Sequence, residues 1–167
     1  MVEALLQDAP APIHFLIQIS DANFTEQMRA SVEQIAPAAG PHVTIVCGTL
    51  SSDDYYVFIN EIDILLVHYD PEHYAYTSSG LFTEAVLLGK VAVIPAGTSM
   101  EREAQRLGTG YASVANFSAQ ALGRALCRAL AEYPVLSERS RAATEAARRY
   151  HNADTLVSYL IGEEPAL

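Results

Sequence analysis

The amino-acid sequence predicts an α/β protein with a Rossmann-like, mainly parallel sheet of five to six strands and helices on both faces. Two observations predict it. Short apolar runs rich in β-branched residues alternate with helical patterns along the 167 residues. These runs are apolar at nearly every position, as is typical of strands buried on both faces of a parallel sheet. The alternation favours right-handed crossovers between neighbouring strands.

The elements follow one another in the order that this architecture requires. The predicted strands are the apolar runs at residues 13–20, 42–49, 63–70, 90–97 and, more weakly, 110–115. Helical patterns lie between them at residues 25–36, 53–61, 80–89 and 100–107. Two further helices, which Pro134 is expected to separate, are predicted at residues 118–132 and 138–160. The predicted domain spans residues 12–162, between a linker or N-terminal edge at residues 1–11 and a tail at residues 163–167.

Charge and composition exclude several classes of function. The chain has 20 acidic and 10 basic residues, and its formal net charge of −10 repels nucleic acid and anionic lipid. No apolar run reaches the roughly 20 residues that span a bilayer. The N-terminal sequence MVEALLQDAPAP lacks the basic start and long apolar stretch of a signal peptide. We expect no nucleic-acid partner, no transmembrane segment and a cytoplasmic location.

Metal and thiol chemistry have weak support in the sequence. Cys47 and Cys127 do not form a close-set pair, so we expect two buried thiols without a chemical role. The segment HYDPEHY at residues 68–74 brings together two histidines and two carboxylates, but no matching ligand cluster occurs elsewhere. We therefore expect a polar loop and no metal site. Its tyrosines, Tyr69 and Tyr74, either stack on a base or pack within the protein.

A run of small polar residues leads into the helix predicted at residues 80–89. Ligands of parallel sheets bind beyond the carboxyl ends of the strands, which is where this run lies. Ser78 or Ser79 can cap the helix, and Gly80 leaves the first backbone amides accessible to a phosphate. Glu84, one turn later, can accept hydrogen bonds from two sugar hydroxyls. The alternative interpretation is a serine-capped helix whose glutamate only complements the helix dipole.

The run SSGLFTEAVLLGKVAVIPAGTSMEREAQRLGTGY, with LLVHYDPEHY before it, resembles the donor-binding half of GT-B fold glycosyltransferases. The resemblance extends over residues 13–161, and its motifs are concentrated at residues 68–110. It implies that Gly80 and Leu81, together with Ser79, contact the diphosphate of a nucleotide sugar. It also implies that Glu84 binds the ribose.

Further donor contacts are expected from Tyr76, Thr98 and Ser99, which lie in the loops at the same edge of the sheet. Tyr76 stands eight positions before Glu84, where the family commonly has a glutamate that contacts the transferred sugar. The loop after the first strand, SDANFTEQ, has no basic residue, and Lys90 is the only lysine. The backbone amides at the helix start would therefore provide most of the interactions that neutralise the phosphates. No catalytic residue follows from these motifs.

The resemblance implies that the chain binds a nucleotide diphosphate sugar as substrate, without a cofactor, and takes part in transferring a hexose to an acceptor. Such enzymes close their cleft with two Rossmann-like halves, and this chain has the length of one. We therefore expect a partner Rossmann-like domain or a homo-oligomer, and little or no transferase activity from the isolated chain.

Two alternatives come from other classes. One is a non-catalytic Rossmann-like interaction module that has lost the donor site. The other is a receiver-like signalling domain, which Asp70 at the end of the third predicted strand suggests. The single Asp21 after the first strand and the lack of a lysine after the fifth strand argue against the receiver.

Overall fold

The computed structural model of the protein describes residues 12–20, 25–26, 30–32 and 40–161. The chain divides into two compact units, Met1–Ile62 and Asp63–Leu167. Both units contain parallel strands, and helices alternate with the strands along the chain. The predicted α/β class with parallel pairing is confirmed. The predicted domain limits at residues 12 and 162 stay predictions.

The first unit contains a parallel pair of strands and a helix. Strand β1 (Phe15–Ile19) pairs with β2 (Val43–Cys47). Helix α1 (Ser52–Asn60) follows, and the side chain of Ser51 caps it by accepting from the amide of Asp54 at 3.2 Å. Most of the helix predicted at residues 25–36 lies outside the described residues, and positions 26 and 30–32 of it are helical.

The second unit is built around three parallel strands. Strands β3 (Ile64–Leu66), β4 (Val91–Pro95) and β5 (Tyr111–Val114) are hydrogen-bonded in that order. The helices of this unit are α2 (Gly80–Leu87), α3 (Ser99–Leu107), α4 (Ala119–Ala131), α5 (Tyr133–Tyr150) and α6 (Ala153–Leu160).

The central strand β4 explains where the core lies. All five of its residues are buried. Because successive side chains of a strand point to opposite faces, protein must cover both faces of β4. Helices α2, α3, α4 and α5 contact this strand. The near-continuous apolar character of VAVIP is therefore a direct consequence of its central position.

The sheets are smaller than predicted. In the described part of the chain, hydrogen bonds join β1 only to β2, and β3 and β5 only to β4, so the sheets have two and three strands instead of five to six. β1 and β2 are also less buried than expected, since only Ile19 of β1 is fully buried and Thr44 and Cys47 of β2 are exposed. An apolar run predicts a strand, but which strands pair depends on contacts distant in sequence.

Two local predictions need correction. The last predicted helix, at residues 138–160, is two helices, and the first of them begins already at Tyr133. Pro134 lies in the first turn of α5, where a missing N–H costs nothing, so it starts this helix. The break comes at Asn152, whose Oδ1 accepts from the amide of Thr155 at 2.7 Å. The expected burial of both thiols is wrong, because Cys47 is exposed at the end of β2 and Cys127 in α4 is only half-buried.

The start of β5 packs directly against the backbone of α5. The Oγ of Ser140, which is fully buried, accepts from the amide of Gly110 at 3.2 Å and lies 3.3 Å from its carbonyl oxygen. A Cβ at position 110 would lie 1.9 Å from the carbonyl oxygen of Leu136. Only glycine allows this approach.

None of the helices in the described ranges is long and apolar enough to cross a membrane. The cytoplasmic location stays a prediction.

Candidate functional site

The candidate site lies at the carboxyl edge of the three-stranded sheet. Because β3, β4 and β5 are parallel, the loops that leave their carboxyl ends all lie at this one edge. The loop after β3 includes a short 3₁₀ turn, His73–Ala75, and leads into α2. The loop after β4 leads into α3. Ligands of open α/β sheets commonly bind in this position.

A buried serine organises the start of α2. The Oγ of Ser79 accepts from the amide of Phe82 at 3.2 Å, and its carbonyl oxygen accepts from the amide of Thr83 at 3.0 Å. The amides of Gly80 and Leu81 therefore come before the first intrahelical hydrogen bond. The sequence allowed Ser78 or Ser79 as the cap, and the structure selects Ser79.

The helix start is sterically and electrostatically open. Gly80 is exposed, and a Cβ built on it would have no heavy atom within 4 Å. The first turn of α2 contains no acidic residue. The free amides and the positive end of the helix dipole thus remain available to an anion. Glu84 is half-buried and follows Gly80 by four positions, so the two lie on the same face of the helix.

The start of α3 is constructed differently. The hydroxyl of Thr98 is completely buried, donates to the carbonyl oxygen of Pro95 at 2.8 Å and accepts from the amide of Glu101 at 3.4 Å. The carboxylate of Glu101 accepts from the amide of Gly97 at 2.7 Å and from the hydroxyl of Ser113 at 2.6 Å. In α3, side chains of the same segment therefore accept from the amide of Glu101 and from that of Gly97, which precedes the cap.

Ser99 joins the two loops. Its hydroxyl lies 2.5 Å from the carbonyl oxygen of Thr77 and 3.3 Å from that of Tyr74, and it donates to them. The first residue of α3 therefore fixes the segment that leads into α2. The predicted proximity of Ser99 to the α2 loop is present in the structure, whereas the hydroxyl of Thr98 faces the protein interior.

Arg102 is a basic residue at this edge that sequence reasoning missed. Its guanidinium donates to the carbonyl oxygen of Gly97 at 3.2 Å and to that of Ala75. It also lies 5.9 Å from the ring centroid of Tyr76, whose side chain is 94% exposed. The sequence spacing could have indicated this position, because Arg102 follows Ser99 by three residues and therefore lies on the same face of the helix.

Aromatic rings occupy the rest of the loop after β3. Tyr69 stacks on Tyr74 with centroids 4.4 Å apart, so the two rings pack on each other. Their stacking on a base stays a prediction. His68 stacks on Phe117, which is 60% exposed in the loop after β5, with centroids 4.5 Å apart. Nδ1 of His68 is buried and has no hydrogen-bond partner in the described ranges.

The acidic residues of the same loop do not gather around a common point. Oδ1 of Asp70 accepts from the amide of Glu72 at 3.0 Å, which uses this carboxylate within its own turn. Among the described residues, no group of three or more histidine, cysteine or acidic side chains could bind a metal.

All the predicted donor-site residues lie at this one edge. Ser79, Gly80 and Leu81 follow one another at the start of α2, and Glu84 lies one turn later. Ser99 and Arg102 of α3 hold the loop before this start. No protein-family model and no curated protein matches the chain.

Proposed function

We propose that the chain is the nucleotide-sugar donor-binding half of a GT-B glycosyltransferase, which transfers a hexose from a nucleotide diphosphate sugar to an acceptor. The observation that carries the proposal is the open amide end of α2 at the carboxyl edge of a parallel sheet. A diphosphate suits this end because it brings negative charge and several acceptor oxygens to unpaired N–H groups.

Each residue of α2 has a defined part in this proposal. The amides of Gly80 and Leu81 bind the diphosphate, and the buried Ser79 fixes their direction through its bond to Phe82. The carboxylate of Glu84 accepts hydrogen bonds from the two ribose hydroxyls. Tyr76 and Ser99 lie at the mouth of the site, and Thr98 contributes by shaping the neighbouring turn.

A second wall is needed for transfer. One Rossmann-like half can bind the donor, but rate enhancement by proximity requires an acceptor in contact with the reacting carbon. We assign this wall to a partner Rossmann-like domain or to a second copy of the chain. The isolated chain should therefore bind the donor and transfer its sugar slowly or not at all.

A non-catalytic interaction module is the second candidate. The observation that favours it is Tyr76, an exposed ring at the position where the family commonly has a sugar-binding glutamate. Nucleotide binding distinguishes the two candidates, because a module that has lost the donor site has no reason to retain affinity for a nucleoside diphosphate.

The test is titration calorimetry with uridine and guanosine diphosphate on the parent protein, Glu84→Ala and Glu138→Ala. Glu138 is exposed on α5 and is 54 positions away from Glu84 in the sequence, so its replacement removes the same charge from another helix. Loss of charge-assisted hydrogen bonds at Glu84 should weaken binding about ten- to hundredfold. The control should bind as the parent does.

Two results would contradict the proposal. One is a parent protein that binds neither nucleotide at millimolar concentration. The other is a Glu84→Ala variant with unchanged affinity. Glu84 would then only complement the helix dipole, which contributes about 0.3 to 1 kcal/mol to stability.

A further inference from the structure

Arg102 of α3 carries a positive charge that has no acidic partner among the described residues. Its two acidic neighbours in sequence are engaged elsewhere, since Glu101 bonds to Gly97 and Ser113. Glu103 pairs with His151 at 2.7 Å. Among the described residues, no carboxylate forms an ion pair with Arg102, and its polar contacts are two carbonyl oxygens. The positive charge is therefore not matched by a carboxylate in the part of the chain that the structure describes.

The guanidinium is also held in a fixed orientation. One of its bonds goes to the carbonyl oxygen of Gly97 in the turn after β4, and the other goes to that of Ala75 in the loop after β3. The group thus lies between the loops of two adjacent parallel strands. A guanidinium has more N–H donors than these two bonds use, and its planar fork matches carboxylate and phosphate.

Tyr76 provides a flat surface next to this charge. Its ring is 94% exposed and lies 5.9 Å from the guanidinium carbon of Arg102. The loop that carries it is fixed on both sides, through Ala75 by Arg102 and through Thr77 by Ser99. An exposed aromatic ring on an anchored loop is suited to stacking on a planar or pyranose ring of a ligand.

We propose that Arg102 and Tyr76 form a subsite for an oxyanion carried by the ring-containing ligand of this edge, with Arg102 binding the oxyanion and Tyr76 contacting the ring. This inference rests on the proposed donor-binding function and specifies the ligand class further. The oxyanion is either the carboxylate of an acidic sugar or a phosphate of the nucleotide.

The chain offers a matched control for this charge. Arg106 lies one turn later on α3, and its guanidinium packs 3.4 Å from the ring centroid of Tyr150. Arg106→Gln removes the same charge as Arg102→Gln from the same helix without touching the loop at residues 74–77. Arg102→Lys retains the charge but cannot bond both carbonyl oxygens in the geometry of the fork.

The experiment measures the affinity of the parent and the three variants for uridine diphosphate, uridine diphosphate glucose and uridine diphosphate glucuronate. Arg102→Gln should weaken binding about ten- to hundredfold, Arg102→Lys less, and Arg106→Gln not at all. A loss confined to the glucuronate ligand identifies a sugar carboxylate as the oxyanion. An equal loss for all three ligands identifies the phosphate.

Equal affinity of Arg102→Gln and the parent for every ligand overturns the subsite and leaves the donor-binding proposal intact. Equal losses of affinity in Arg102→Lys and Arg102→Gln also overturn it. Such a result would mean that Arg102 acts only by holding the loop, which requires the forked guanidinium and not the charge. If the parent binds no nucleotide, inorganic pyrophosphate is the remaining probe. Binding that depends on Arg102 then supports the subsite without the donor function, and no binding refutes both.

Discussion

Helices α2 and α3 begin at equivalent places, after neighbouring parallel strands of one sheet, but different side chains surround their first turns. Both have a buried hydroxyl cap, Ser79 in α2 and Thr98 in α3. In α3 the carboxylate of Glu101 adds a bond to the amide of Gly97 and complements the helix dipole. In α2 the first turn contains no acidic residue and begins with an exposed glycine.

This difference indicates which start is available for a ligand. Both helix ends have the same backbone chemistry, so the distinction comes from side chains alone. We call the start of α3 closed because Glu101 places a carboxylate in its first turn, where it complements the helix dipole and contributes to the stability of the unit. The start of α2 is open, which costs some stability but leaves donors for an external anion. The variants below test this contrast between a closed and an open start.

The largest effect on stability is expected from replacing Gly110, and Gly80 provides the comparison. Gly110→Ala places a methyl 1.9 Å from the carbonyl oxygen of Leu136, so α5 and β5 must separate. We expect a loss of about 3 kcal/mol in the free energy of unfolding. Gly80→Ala adds its methyl to open space and should change stability by less than about 0.5 kcal/mol.

Urea denaturation of the two variants checks this prediction. A Gly80→Ala variant that is destabilised as much as Gly110→Ala would mean that Gly80 is required for packing. The interpretation of α2 as an open start would then be wrong.

The caps should give the next largest effect. Thr98→Val removes a fully buried hydroxyl and leaves the carbonyl oxygen of Pro95 and the amide of Glu101 without their partner. We expect a loss of about 2 to 3 kcal/mol. Ser79→Ala removes one bond, that to the amide of Phe82, and should cost about 1 kcal/mol.

Thermal and urea unfolding of both cap variants provide the measurement. If Ser79→Ala cost as much free energy of unfolding as Thr98→Val, the two cap hydroxyls would contribute equally to stability. The expected difference between the two caps would then be wrong.

The local elements of this fold were largely predictable from the sequence. The run VAVIP predicts a strand buried on both faces because it is apolar at every position, so the side chains of both faces favour burial. The cap at Ser79 follows equally from a serine placed before a helical pattern. The pattern T-x-x-E of Thr98 and Glu101 is typical of a self-capped helix start, although the carboxylate reaches Gly97 instead of the cap residue itself.

What could not be predicted depends on contacts distant in sequence. The bond from Arg102 to Ala75 joins residues 27 positions apart, and no pattern in either segment indicates it. The division of the strands into a pair and a triplet likewise depends on which edges meet. The exposure of Cys47 shows the same limit, because an apolar strand pattern does not report whether a second layer covers it.

The smallest change in stability should come from converting the open start into a closed one. Gly80→Asp places a carboxylate in the first turn of α2, as Glu101 does in α3. Gly80 does not have a positive φ and its Cβ position is free of neighbours, so the side chain fits. The matched control is Gly80→Asn, which has nearly the same shape without the charge. Interaction with the helix dipole should make the Asp variant more stable than the Asn variant by about 0.3 to 1 kcal/mol at low ionic strength.

The same pair of variants links this small effect to binding. The carboxylate of Gly80→Asp occupies the place of the anion and repels it, so affinity for uridine diphosphate should fall in the Asp variant and persist in the Asn variant. Salt should reduce both differences, because the interactions are electrostatic and exposed to solvent. Calorimetry and urea unfolding at low and high salt measure the two quantities on the same samples. A gain in stability without a loss of affinity would place the nucleotide elsewhere, since a filled helix start cannot also bind a diphosphate.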